Sequence, residues 1–106
     1  MARALINVPK VARHGELVEI RVLISHLMES GQRRDERGEI IPRDIIHSFV
    51  CAYNGEEVLR ADFFPAISAN PYLAFSTVAQ ESGSITFTWI DDHGTVQTES
   101  TAITVV

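Results

Sequence analysis

Cysteine occurs once in the 106 residues, at position 51, so no disulfide can form within the chain. The inter-sheet staple of antibody-type domains is thereby excluded. The four histidines, His14, His26, His47 and His93, never stand at the paired spacing of a zinc site. Basic residues are in the minority, nine against fourteen acidic ones, for a net charge of -5. Phosphate backbones call for a basic face, so nucleic acid is not an expected partner. No apolar run approaches the roughly 20 residues of a membrane span, and no membrane contact is expected. There is no Gly-rich phosphate loop and no nucleophile elbow. The first residues, Met1 to Pro9, lack the apolar h-region of a secretory signal, an expectation of no leader of its own.

An apolar fraction of 45% is enough to fill one core, and the length suits one domain spanning residues 1–106. Period-two alternation runs through it. Val18, Ile20, Val22 and Ile24 alternate with Glu19, Arg21 and Ser25, and Ile85, Phe87 and Trp89 alternate with Thr86 and Thr88. Asn54-Gly55 and Asp91-Asp92-His93-Gly94 read as hairpin turns. The Thr- and Val-rich stretch from Thr95 to Val106 reads as a last strand. No long segment keeps a helical period. Short strands with regular turn signals predict an all-β fold, an immunoglobulin-like β-sandwich.

Two stretches exceed what a plain sandwich needs. The connection from His26 to Asp44 is longer than the roughly 12–15 residues usual for structureless loops. Asp35 and Gly38 suit the first and last positions of a type I turn, so a protruding hairpin is expected. Its polar tip is either a solvated turn or, through Arg33, Arg34 and Arg43, a surface for a partner or an anion. Further on, Phe49, Cys51 and Tyr53 alternate with Ile46, Val50 and Ala52. Such a strand is apolar on both faces and is expected to be covered on both. Phe63-Phe64-Pro65-Ala66-Ile67 adds bulk in a Pro-broken segment, a pattern that marks interfaces. The candidate partner-facing residues are Arg33, Arg34, Arg43, Phe49, Tyr53, Phe63, Phe64 and Tyr72. Cys51, mid-strand between apolar neighbours, reads as a buried, inert thiol. His26 reads as an anchor of the long loop by hydrogen bonding. Asp91 and Asp92 are adjacent and suit a turn rather than acid–base work. No catalytic residue, metal ligand or cofactor site is assigned, and the chain is not expected to be an enzyme.

Ordered segments along nearly the whole chain resemble the SoxZ family. They are Arg3-Ala4-Leu5-Ile6, Gly15-Glu16, Leu23-Ile24-Ser25-His26, Met28-Glu29, Gly31, Arg33-Arg34-Asp35 and Gly38. Ile41-Pro42-Arg43-Asp44-Ile45-Ile46, Tyr53-Asn54-Gly55-Glu56-Glu57-Val58 and Ala69-Asn70-Pro71-Tyr72-Leu73 complete the set. Leu27 departs from the pattern, which has proline after the histidine, and Ser30 replaces threonine. The resemblance implies an immunoglobulin-like sandwich in a tight heterodimer with SoxY, with transient contacts to other Sox enzymes. It implies that SoxY carries the sulfur intermediates of thiosulfate oxidation on a cysteine in a Gly-rich C-terminal arm. This chain ends Ala102-Ile103-Thr104-Val105-Val106, with neither cysteine nor glycine, so it is not expected to be the carrying subunit. The implied location is the periplasm, reached by export alongside a signal-bearing partner. Two other readings stay open at this point. One is an autonomous immunoglobulin-like binding module. The other is a small metalloenzyme using His26, His47 or His93.

Overall fold

A computed structural model describes residues 3–106. Eight strands follow in order: β1 Ala4–Asn7, β2 Val11–Ala12, β3 Leu17–Ile24, β4 Ile46–Tyr53, β5 Glu56–Asp62, β6 Tyr72–Val78, β7 Gly83–Asp91 and β8 Val96–Val105. They form two sheets, β1-β3-β6 and β2-β8-β7-β4-β5. All pairings are antiparallel except β2 with β8, where Val11 lies opposite Thr104 and Ala12 opposite Val105. The chain thus starts in the small sheet and crosses to the edge of the large one around Pro9, which cannot donate to a ladder. The expected all-β sandwich is the fold observed.

Alternation dictates the core. Val18, Ile20, Val22 and Ile24 of β3 are buried, whereas Leu17, Glu19 and Arg21 are exposed on the outside of the small sheet. From the large sheet, Phe49 and Cys51 of β4, Ile85, Phe87 and Trp89 of β7 and Ile103 of β8 point back at them. Phe49 sits in the middle. Its ring centroid lies 5.3 Å from that of Trp89, 6.4 Å from Phe87 and 6.1 Å, edge-on, from Phe75 of the facing sheet. Offset and edge-to-face aromatic contacts of this kind contribute beyond the area they bury.

The turns follow their residue chemistry. Asn54 and Gly55 both have positive φ, as a two-residue type I′ hairpin requires, and they join β4 to β5. At the other end of β7 the Asp91 carboxylate accepts from the amides of His93 and Thr95, both at 2.9 Å, and the Gly94 amide donates to the Asp91 carbonyl. Sidechain–backbone bonding of this Asx type is why Asp opens turns.

The connection between β3 and β4 is a hairpin arm. Glu29 and Asp44 exchange backbone hydrogen bonds at its base, and Arg34 bridges to Ile40 near its tip. The tip closes as expected, with the Gly38 amide donating to the Asp35 carbonyl and Gly38 at φ 80. The arm helps to give the chain a long axis of 59 Å against 20 and 19 Å, and a radius of gyration of 16.2 Å. A compact chain of this length would have a radius of about 13 Å.

Candidate partner interface

The long loop is anchored at its root by His26, as its sequence suggests. The His26 amide donates to Asn70 Oδ1 at 2.9 Å, and its carbonyl accepts from the Asn70 amide at 2.7 Å. The imidazole Nδ1 accepts from the Met28 amide at 3.0 Å. Those bonds hold Met28 in a left-handed conformation at φ 54, with its side chain in the core and its sulfur accepting from the Ile46 amide. A methionine adopts that backbone region only under restraint. Asn70, which locks the other side, is also left-handed at φ 54, where asparagine is better tolerated.

Around this root lie His26, Asp44, Asp91 and His93. His26 Nε2 is 3.8 Å from Asp44 Oδ1, and His93 Nε2 is 3.2 Å from Asp44 Oδ2. Ligand atoms of His26, Asp44 and Asp91 lie within 4.8 Å of one another, so the group has the span of a metal centre. The tautomer argues against that use. Because the Met28 N–H points at Nδ1, the ring's own proton sits on Nε2 and faces the carboxylate. A metal-bound imidazole instead offers a lone pair there and donates from its other nitrogen. Asp44 Oδ1 is buried without a hydrogen-bond partner among the described residues, and His26 Nε2, at 3.8 Å, stands beyond hydrogen-bond reach of it. With that tautomer, His26 serves the loop root through its bonds to Met28 and Asn70 rather than as a metal ligand.

The three candidate arginines do not converge. Arg33 reaches Glu29, with Nη2 to Oε1 at 2.6 Å. Arg34 donates to the Gly38 carbonyl at 2.6 Å, across its own turn. Arg43 forms a two-point pair with Asp92 at the end of β7. The arm tip therefore holds its guanidiniums on its own acceptors, which is the solvated-turn reading of that segment.

The aromatic candidates divide sharply. Phe49 is fully buried, and Tyr53 and Phe63 retain only 8% and 6% of their exposure. All three belong to this chain's own core, which corrects the expectation drawn for Phe49 and Tyr53 from the two-faced strand and for Phe63 from the Pro-broken segment. The Tyr53 hydroxyl caps the β6–β7 connection, accepting from the amides of Gln80 at 3.3 Å and Glu81 at 3.2 Å and donating to the Glu81 carbonyl. A bulge explains Ile46. Two residues of β4 oppose one step of β7 between Ile46 and Ser48, so Ile46 rather than His47 turns inward. Of the apolar residues of β4, Val50 and Ala52 remain half-buried on the outer face. Phe64 and Tyr72, by contrast, are exposed at 65% and 55%. Phe64 edges an open depression of about 440 Å³ that it shares with Arg43, His47, Asp62, Phe63 and Asp92.

The sole thiol is inert by position. Cys51 is fully buried, and burial pushes its pKa up to about 11. Thiolate, the reactive form, is scarce at neutral pH under those conditions.

A family model described as "Sulphur oxidation protein SoxZ" matches residues 6–102. The chain belongs to the SoxZ family. It is thus a sulfur-oxidation subunit of the Sox system. Among solved structures, the chain is similar to the sulfur carrier protein SoxY from Chlorobium limicola f thiosulfatophilum, with 13% identity and a TM-score of 0.68, over 97% of this chain and 78% of that one. It is also similar to a superoxide reductase (neelaredoxin) from Ignicoccus hospitalis, at 16% identity and a TM-score of 0.73, over 97% of this chain and 80% of that one. A CARDB domain from Pyrococcus furiosus is 17% identical with a TM-score of 0.62, over 99% and 94% of the respective chains. At these identities the likenesses establish the sandwich and nothing of the chemistry. No curated protein matches the chain in sequence.

Proposed function

We propose that this SoxZ-family chain is the non-catalytic half of a periplasmic carrier, holding a SoxY-type partner whose C-terminal cysteine bears sulfur intermediates during thiosulfate oxidation. The observation that carries the reading is the state of Cys51. A family member of a sulfur-oxidation system whose only thiol is walled into its core cannot itself exchange sulfur groups, so the carrying thiol belongs to another chain. The fold supports such a pairing, since SoxY of Chlorobium limicola is built on the same sandwich. The partner makes a one-to-one complex with this chain, and other Sox enzymes meet the pair transiently. Export occurs together with the partner, whose signal serves both.

Co-expression with the SoxY-type protein, followed by affinity purification through a tag on that protein alone, tests the assembly. A stoichiometric one-to-one complex is expected, and its thiosulfate-dependent activity in a reconstituted pathway should survive Cys51→Ala. Separate migration of the two chains on gel filtration would refute the partnership. Loss of activity from a folded Cys51→Ala complex would place the chemistry in this chain instead. Cell fractionation checks the export route: deleting the partner's signal should leave both chains in the cytoplasm.

A further inference from the structure

The outside of the three-stranded sheet carries an apolar row that no single segment of sequence contains. The ladder sets Leu5 of β1 opposite Leu23 of β3, and Leu23 opposite Tyr72 of β6. The three residues therefore lie side by side on one face, across the full width of the sheet. Leu5 is 58% exposed, Tyr72 55%, and Leu23 is half-buried between them. Leu27, just past the end of β3 and, at 85%, the most exposed large apolar residue among the described residues, stands at the same end of the sheet. The next row is Asn7, Arg21 and Ala74, and the far end of the face closes with Leu17 opposite Val78. The two charged residues of β3 on this face, Glu19 and Arg21, are ion-paired with each other.

The contrast with the other sheet matters. The middle of its outer face shows Val50, Ala52, Thr86, Thr88, Thr98 and Ser100, short and mostly hydroxylated, with one larger apolar pair, Ile90 and Val96, at the end next to the β7–β8 turn. That is an ordinary solvent face for an antiparallel sheet, whereas solvated Leu and Tyr in register are not.

We infer that the outer face of the three-stranded sheet, centred on the row Leu5–Leu23–Tyr72, is where the sandwich-fold partner of the carrier seats. The inference rests on the carrier reading above and assigns the surface that reading leaves open. Two observations choose the occupant. The face cancels its own charge, so it suits an apolar sheet surface and not an acidic or basic ligand. The SoxY protein of Chlorobium limicola shares this fold, so a partner of that kind owns an equivalent sheet, and two like sandwiches can meet through like faces about an approximate twofold axis. Area sets the extent. Two strands of 7 and 8 residues and the 4-residue β1 make a face of at most roughly 14 by 23 Å, well under the roughly 800 Å² per partner of a standard interface. The remainder must come from beside the row. The hairpin arm leaves the sandwich only a few residues after β3, and the exposed segment with Phe64 and Ile67 leads into β6, so both stand next to the row in sequence.

The experiment uses the chain co-expressed with the SoxY-type partner. Leu5→Glu and Tyr72→Glu are compared with Thr88→Glu on the opposite sheet, and dissociation is followed by sedimentation velocity over a dilution series. The row variants should raise Kd at least tenfold and Thr88→Glu should leave it within twofold. In the wild-type complex, amide exchange should slow in β1 and β6 but not in β8. Wild-type complex formation with row variants that bind equally well, and no protection of β1 and β6, would sink the surface while sparing the partnership. No wild-type complex at all would sink the partnership first. Row variants that abolish self-association of this chain while leaving partner binding intact would show that a second copy, not the partner, occupies the face, and would overturn the inference.

Discussion

Arg43 and Asp92, 49 residues apart, meet through two bonds of 2.8 Å, Nε to Oδ2 and Nη2 to Oδ1. The same carboxylate accepts from the Ile45 amide at 3.1 Å. The base of the hairpin arm is thereby tied to the end of β7. Two-point pairing of this sort fixes geometry as well as charge. The Arg43 guanidinium holds the Asp92 carboxyl below its usual range, with the Ile45 amide and nearby His47 acting in the same direction.

The sign of the pH effect follows. A depressed carboxyl pKa means that the folded state favours the ionised form, so the pair stabilises the fold above the unfolded value of about 3.9 and that contribution fades as pH falls through the folded value. Arg43→Gln should lower the melting temperature at neutral pH, and the difference from wild type should shrink towards zero as pH falls below about 4. Thermal melts at stepped pH read this directly; a difference that stays constant down to pH 2 would mean that the pair does not act through the charge of Asp92.

Cys51 should resist thiol reagents in the native chain. With its pKa raised to about 11, alkylation at pH 8 should be at least tenfold slower than in urea. Cys51→Ala removes one sulfur from a packed site and should cost about 1 kcal/mol. Mass spectrometry after timed iodoacetamide exposure, together with a urea melt, measures both. Rapid native alkylation would contradict the buried position.

Tyr53→Phe tests the cap on the β6–β7 connection. The ring stays in the core, but the amides of Gln80 and Glu81 lose their acceptor. Loss of about 1–3 kcal/mol is expected, the range for leaving such groups unsatisfied. A change within 0.5 kcal/mol, of the order seen at ordinary surface sites, would show that water replaces the hydroxyl without penalty.

Arg33→Gln combined with Arg34→Gln separates a working arm tip from a solvated one. Both guanidiniums are held by acceptors of their own arm, and exposed pairs of this kind contribute about 0–1 kcal/mol. Turnover of the reconstituted pathway should change less than twofold at low and at high salt. A salt-dependent fall of tenfold or more would instead reveal charge steering, which screening over about 8–10 Å would suppress.

What the sequence disclosed was whatever is written locally. Asn54-Gly55, Asp35 to Gly38 and Asp91 to Gly94 announce their turns because the backbone conformation is decided by those residues alone. The alternation of β3 and β7 is equally plain, and so is the burial of Cys51. Facing was harder. Ile46, Val50 and Ala52 made β4 look apolar on both sides, and the bulge that sends Ile46 inward is a property of the β4–β7 pairing, not of β4. Phe63 follows the last residue of β5, where nothing local distinguishes a core residue from an exposed one; its amide bond to the His47 carbonyl is what draws it in. Tyr72 is a partner-facing candidate in the sequence, but the sequence does not show what stands beside it. Its neighbours Leu23 and Leu5 are far away in sequence, and only the register of three strands brings them together.

The parallel contact of β2 with β8 has a kinetic consequence. It joins segments nearly the whole chain apart, and β8 lies between β2 and β7 in the large sheet. Non-local pairings of this kind slow folding, because loop closure must precede any gain from the contact. Until β8 arrives, β7 is a bare edge carrying Phe87 and Trp89 beside an unfinished core, a ready template for intermolecular pairing. The interval before β8 docks is when the chain is most prone to aggregate, and anything that covers that edge during synthesis would shorten it.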